Sequence, residues 1–518
     1  VQVDIQRLPF ECDDLIAAAM EMVPRIWARD HTVWGKDPAE IADRLGWLDS
    51  ISRATSTEPE LVQAANVVRS GGVDDVVLVG MGGSSLYPAV LADISRTLHV
   101  DDADVPPRLH VLDSTDPAAV RRAETQLDWS TTALIAASKS GTTIETTCHL
   151  DRLWTVLVDA LGSAAGTRVT VITDPGSAFD ERAAREGFAQ VINGQPDVGG
   201  RFSALTPFGL LPAAVLGIAP GEHVEGAADT LAAAQSTDPT RNHPAVLGAV
   251  MAAAARAGRD KLTLLVSERV SGLGSWIEQL VAESTGKHGT GLLPVVDEEP
   301  GRARFGSDRF VVTIGSPDVH LQMLDDEGVP FVSLPWNDGA DLSAQLAQQV
   351  ATWEFATAVT GALLGVNPFD QPDVTEAKQA TQRVLDEGIG LPSLSHPQPV
   401  LDQLQPGDYL ALLGFVTPGG SDELGLHRVA DRLRQRYEVP VTIGVGPRYL
   451  HSTGQYHKGG PNKGAFLIVV GDDVADVEIP GRTFGFRALK RAQAAGDFAT
   501  LQARGRRVAL TSMDALMQ

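Results

Sequence analysis

The sequence predicts an α/β protein with two parallel-sheet domains flanked by helices and a further α/β segment at the C-terminus. Short β-branched runs alternate with Ala- and Leu-rich helical stretches, the pattern of parallel sheets joined by crossover helices. Two of those strands end in turns dense in glycine or hydroxyl residues, at 80–85 and 138–143, which run straight into helices. The chain is 518 residues long and 43% apolar, which suits several cores at about 100–200 residues each.

Residues 1–54 carry two helical segments, ECDDLIAAAMEMVPRIW and DPAEIADRLGWLDSI, expected to pack on the outside. A first domain over 55–220 draws its strands from VVLVG (76–80), LHVLD (109–113), ALIAAS (133–138) and VTVITD (169–174). The stretch GEHVEGAADTLAAAQSTDPTRNHP, rich in Gly, Pro and polar residues, connects it to a second domain. That domain and its connector occupy 221–404 and supply LTLLVS (262–267), FVVTIG (310–315) and FVSLP (331–335). A QPGD turn opens the last segment, 405–518, with YLALLGF (409–415), VTIGVG (441–446) and AFLIVVGD (465–472). The chain starts at Val1 rather than Met, which suits a processed protein or a piece of a longer one.

Lys plus Arg number 42 against 66 Asp plus Glu, a net charge of −24. Such a balance argues against nucleic acid, whose phosphates need a basic footprint. It leaves room for a small anion, because helix N-termini and a few placed cations create local positive potential. No run of about 18 apolar residues is present to span a membrane, and the N-terminus lacks a signal-peptide pattern, so a cytoplasmic protein is expected. Cys12 and Cys148 are too few for a disulfide framework or a cysteine metal site.

The stretch VLVGMGGSSLYPAVL (77–91) is a strand, then Gly80, Gly82, Gly83, Ser84 and Ser85, then a helix. It reads either as a tight strand-to-helix turn or as a backbone cradle for an anion. A dinucleotide fingerprint wants Gly or Ala in place of Ser85 and an acid about 20 residues on, and Asp113 comes too late. AASKSGTTIET (136–146) repeats the geometry with hydroxyls and Lys139. It reads as a phosphate cradle or as a helix cap in which Glu145 completes ordinary helix-start chemistry. Two such turns on one parallel sheet favour a ligand, since open α/β folds bind beyond the carboxyl ends of their strands. Arg201, in GGRFSALTPFGLLPA, sits between glycines and an apolar helix, as suits a guanidinium that steadies an oxyanion. In WIEQLVAESTGKHG, Gln279 and Glu283 share a helix face, and apolar neighbours would desolvate Glu283 into a base useful near neutral pH.

Taken in order, GMGGSSLYP, SKSGTTIET, GGRFSALT, QLVAESTGK and LLGVNPFDQPDVTEAK resemble phosphoglucose isomerase over about residues 75–380. That family interconverts glucose 6-phosphate and fructose 6-phosphate, a step of glycolysis and gluconeogenesis, between two sugar-isomerase (SIS) domains. The resemblance implies that Gly83 and Ser84 lie beside the sugar phosphate and that Ser138, Lys139, Ser140, Thr142 and Thr143 cradle it. It makes Glu283 the base that moves a proton between C1 and C2, with Gln279 one turn before it. Arg201 would stabilise the cis-enediolate, and Gln371 and Lys378 would contact the sugar, Lys378 assisting ring opening. Such chemistry asks for no metal and no redox cofactor. The same resemblance implies a homo-oligomer.

One segment departs from the family: no Gly-Thr-x-x-Gln-His stretch with a ring-opening histidine lies between Lys287 and Asn367. PRYLHSTGQYHKGGPNKG (447–464) follows the lysine motif instead, and of its two histidines His457 is favoured over His451 because glycines and a lysine follow it. Together with the helix GFRALKRAQAAGDFATL, this late segment looks like the isomerase half of bifunctional transaldolase–phosphoglucose isomerase proteins. The first expectation is therefore a glucose-6-phosphate isomerase. The alternatives are a non-catalytic SIS regulator that binds a sugar phosphate, and an isomerase of dual phosphoglucose and phosphomannose specificity.

Overall fold

Among the described residues, every strand belongs to one of three all-parallel sheets. The computed structural model describes residues 8–98, 105–296, 298–301, 304–388, 390–473 and 475–518. Val1 and the reading of the chain start lie outside them. The first sheet contains β1 (Asp75–Val79), β2 (Arg108–Leu112), β3 (Thr132–Ala137), β4 (Val169–Thr173) and β5 (Gln190–Asn193), in the order β2-β1-β3-β4-β5. The second contains β6 (Lys261–Val266), β7 (Leu293–Val295), β8 (Arg309–Ile314) and β9 (Phe331–Leu334), in the order β7-β6-β8-β9. In the third, β10 (Tyr409–Phe415), β11 (Val441–Val445), β12 (Gly464–Val470) and β13 (Arg507–Thr511) run in the order β11-β10-β12-β13.

The central strands β1 and β3 are buried along their whole length, which explains their continuous apolar runs. They pair in register from Asp75↔Thr132 to Val79↔Ala136, so the turns that follow them emerge side by side. Because β1 has β2 on its other flank, the chain reverses its direction of sheet growth there, and a crevice opens at the strand ends. All ten strands expected from the sequence are present; β5, β7 and β13 were not foreseen. All three lie at sheet edges, and Pro294 in β7, which has no N–H to donate, is tolerated because only β6 pairs with that strand.

The N-terminal helical region lays one face on the core, with Ile16, Ala19, Val23 and Ile26 buried and Asp14, Glu21 and Arg25 exposed. Trp47 is buried against Phe202 and Phe355, with ring centroids 5.4 and 6.2 Å away. Trp34 donates its indole N–H to Ala358 O at 2.8 Å. Ala358 and Phe355 belong to the helix Leu342–Leu364, buried on nearly every face and packed against the helices Pro220–Ala233, His243–Arg256 and Gly272–Thr285.

The third sheet docks on the loop that follows β2. Arg448 grips Asp113 with two hydrogen bonds of 2.8 Å, Lys490 reaches Asp116 at 2.9 Å, and Thr417 Oγ1 donates to the other Asp116 oxygen at 2.8 Å. Among the described residues no helix is long and apolar enough to cross a membrane.

Candidate active site

The two turns meet at the switch strand. At Gly82 the backbone takes φ +57, and a Cβ there would stand 2.6 Å from Gln279 Nε2. One at Gly83 would overlap Gly200 O at 1.9 Å. Glycine at 83 thus lets the 80–85 turn close on the Gly200–Phe202 turn that carries Arg201, and Ser84 completes the same turn, nearly buried.

In the neighbouring turn, Ser138 Oγ lies 3.3 Å from Thr143 Oγ1 and accepts the Gly141 N–H, while Ser140 Oγ lies 2.7 Å from Thr142 Oγ1. Thr143 is the N-cap of the helix Ile144–Leu161, yet its side chain makes no capping bond. Its hydroxyl is turned to Ser138 instead, so a side-chain cap does not account for the turn. Lys139 differs from its expected place. Its ammonium turns to Asp174, 3.0 Å away, and to Gln195 O, also at 3.0 Å, so its charge is engaged on the far side of the turn.

Glu283 sits in the helix Gly272–Thr285, 2% exposed, with Leu280, Val281 and Ala282 buried around it. Burial pushes its carboxyl up to about 7, against the opposing pull of Arg201, His451, Lys287 and Lys378. Gln371 Nε2 donates to its Oε2 at 2.8 Å, and Arg201 Nη1 stands 3.6 Å from the same oxygen. The remaining Arg201 donors are fixed on Ser284 Oγ, Pro368 O and Asp370 O, which aims Nη1 and leaves the guanidinium little freedom. Lys287, fully buried, holds Asp370 at 2.7 Å and the carbonyl of Asn367. Burial, with Arg201 nearby, lowers its ammonium to about 7. Arg201 and Lys287 together clasp the loop 367–371 that brings Gln371 to Glu283. Gln279 donates to His451 O at 2.6 Å, and its own buried Oε1 has no hydrogen-bond partner among the described residues.

The histidines exchange places relative to the sequence expectation. His457 is 2% exposed, its Nδ1 3.0 Å from Tyr409 OH, ringed by Tyr409, Tyr449, Tyr456 and Phe466 at centroid distances of 5.1–6.5 Å. Burial, aided by Lys458, drives its pKa well below the usual histidine range, so it is a neutral core residue closed off from the site. The glycines and lysine that follow it end a short buried helix, Gly454–Gly459, and do not open it to a ligand. His451 instead reaches the site, with Nε2 2.9 Å from Glu145 Oε1.

A cavity of about 260 Å³ opens beside the hydroxyl turn and His451, and Glu283, Arg201, Gln279 and Gln371 are not among its lining residues. Its lining includes Ser140, Thr142 and Thr143, then Glu145, His451 and Lys378, and also Lys458, Gln493 and Asp497. Sequence reasoning does not place Glu145, Lys287, Gln493, Lys458 or Asp497 in the site. Of these only Glu145 carries a local signal, a carboxylate on an otherwise apolar helix face, and its position suits a cap equally well. The others belong to the site through contacts between segments far apart in the chain.

Comparison with known proteins identifies the family of the chain. The sequence model of the family Phosphoglucose isomerase matches residues 49–309. A glucose-6-phosphate isomerase of Rubrobacter xylanophilus is 31% identical over 367 residues, covering 62% of this chain and 84% of that protein. One from Thermus thermophilus is 28% identical over 396 residues, covering 67% and 91%. Among solved structures, a hypothetical protein of Thermus thermophilus superposes with a TM-score of 0.63 at 25% identity, over 74% of this chain and 99% of that one. A glucose-6-phosphate isomerase of Chlamydia trachomatis shares the fold, with a TM-score of 0.57 at 18% identity over 72% and 84%. The chain belongs to the phosphoglucose isomerase family.

Proposed function

We propose that the protein is a glucose-6-phosphate isomerase, converting aldose to ketose and back by ring opening and proton transfer through a cis-enediolate. The observation that carries this reading is Glu283: a buried carboxylate poised near neutrality, with a fixed guanidinium 3.6 Å away. A base of that strength removes a weakly acidic C–H proton and returns it, and the adjacent cation lowers the cost of the negative charge that develops between.

The hydroxyls of Ser138, Ser140, Thr142 and Thr143 and the helix start at Ile144 bind the phosphate, with Ser84 beside them. The far end of the sugar is thereby held at a fixed distance from Glu283. His451, supported by Glu145, donates a proton to the ring oxygen while the anomeric hydroxyl gives its own to solvent water, and the hemiacetal C–O bond breaks to leave the open aldehyde. Lys378, in the cavity wall beside His451, adds positive charge near the opening ring. Glu283 then takes the proton from C2 of the open aldose and delivers it to C1 of the enediolate, a hydroxyl proton moving between O1 and O2. Arg201 faces the enediolate oxygens, and the unpartnered Gln279 Oε1 accepts a sugar hydroxyl. Aldose and ketose are isomers, so no electrons leave the substrate.

Conversion of fructose 6-phosphate to glucose 6-phosphate, read by a coupled dehydrogenase, tests the proposal. Turnover by the parent with none by Glu283→Gln is expected; equal rates for the two would remove Glu283 from the reaction, and an inactive parent would refute the function.

A further inference from the structure

Glu145 has two partners on its Oε1, and both arrive from the third sheet's unit. His451 Nε2 lies 2.9 Å away and Gln493 Nε2 2.7 Å away. Gln493 is 2% exposed and belongs to the helix Phe486–Ala503. Its Oε1 accepts from the hydroxyl of the buried Thr115 at 2.7 Å. The amide orientation follows from chemistry: an ionised carboxylate only accepts, so the NH₂ must face Glu145, and Thr115 can donate to the oxygen left over.

The placement of the two partners has a shared origin. Thr115 lies in the DSTD turn, 113–116, whose flanking aspartates anchor Arg448 and Lys490. Arg448 comes three residues before His451, and Lys490 three residues before Gln493. One turn of the first sheet thus sets the position of both groups that touch Glu145.

Resting on the isomerase reading above, we infer that Gln493 is a positioning residue for the Glu145–His451 acid/base pair: its carboxamide, steadied by Thr115, holds the carboxylate aimed at the imidazole. Burial alone would push Glu145 up, and His451 and Lys378 bring it below its ordinary value. The Gln493 N–H adds to them by drawing charge from Oε1. Other groups near the carboxylate are Lys458 and Asp497 across the cavity, and Cys148 and His149 on its own helix. None of these makes a hydrogen bond to it.

Gln493→Met keeps the side chain's length and removes both hydrogen bonds. Without the donor, Glu145 becomes more basic and pairs more strongly with the imidazolium. The alkaline limb of the kcat/KM profile against pH, which follows His451, should move up by about half a unit, while the acid limb, which follows Glu283, stays and the peak falls. Gln493→Glu places a second carboxylate against the first, and a larger upward move is expected. Thr115→Val should shift the alkaline limb in the same direction, and it carries the test if the Gln493 variants fail to fold. An alkaline limb that stays at the parent's pH in the folded variants, whatever the amplitude, would show that Gln493 only packs and would overturn the inference. The parent's own turnover, required for any profile, tests the isomerase reading separately.

Discussion

Glu283→Gln should stabilise the protein as it destroys turnover, and the gain should depend on pH in a defined way. The Glu283 carboxyl is raised from its ordinary 4.5 to about 7, the resultant of burial and the surrounding cations. Its pKa is higher in the folded state than in the unfolded chain, so the folded protein holds a proton that unfolding releases. That contribution to stability is complete below pH 4.5 and is lost as pH rises through about 7. A neutral glutamine has no such dependence. With 1.36 kcal/mol per unit, the shift lowers the parent's stability, relative to low pH, by about 1.4 kcal/mol at pH 5.5 and about 3 kcal/mol at pH 8.5. Urea unfolding of parent and variant at both pH values measures the difference directly. The variant should exceed the parent by about 1.4 kcal/mol at the lower pH and by roughly twice that at the higher. A difference that is the same at both, or that favours the parent at pH 8.5, would mean the carboxylate is not strained by burial, and the argument for its basicity would fall.

Other outcomes follow from the same geometry. His451→Ala should lower kcat/KM on the cyclic sugar phosphate by about 10² or more. His457→Ala should leave kcat/KM within a few-fold of the parent and cost about 2–4 kcal/mol in urea unfolding, because it empties a site packed by four aromatic rings. The reverse pattern would restore His457 to the chemistry. Ser138→Ala with Thr143→Ala should raise KM about tenfold or more for the phosphorylated sugar, and steady-state kinetics showing an unchanged KM would move the phosphate elsewhere.

The parallel sheets were legible because each buried strand is an uninterrupted apolar run, as in β1 and β3, bounded by helical stretches. Strands that only edge a sheet lack that pattern: β7 is three residues long and contains a proline. In the site, Glu283, Arg201 and Gln279 were readable from local motifs and Gln371 from the resemblance; Arg201 and Gln371 lie against Glu283, while Gln279, one turn earlier, bonds the His451 carbonyl. The choice between His451 and His457 was not local. It turns on Glu145, some 300 residues earlier, and on four aromatic side chains that close around His457. Lys139 failed for a related reason, since its partner Asp174 comes from the end of the adjacent strand β4.

Isomerisation of glucose 6-phosphate in D₂O, followed by ¹H NMR, tests the central claim most directly. A carboxylate that carries the proton exchanges part of it with solvent, so the account predicts deuterium at C1 of the fructose 6-phosphate formed and at C2 of recovered glucose 6-phosphate. Glu283→Gln should give neither product nor label. Product formed by the parent with no deuterium at either carbon would indicate direct hydride movement and contradict the role assigned to Glu283.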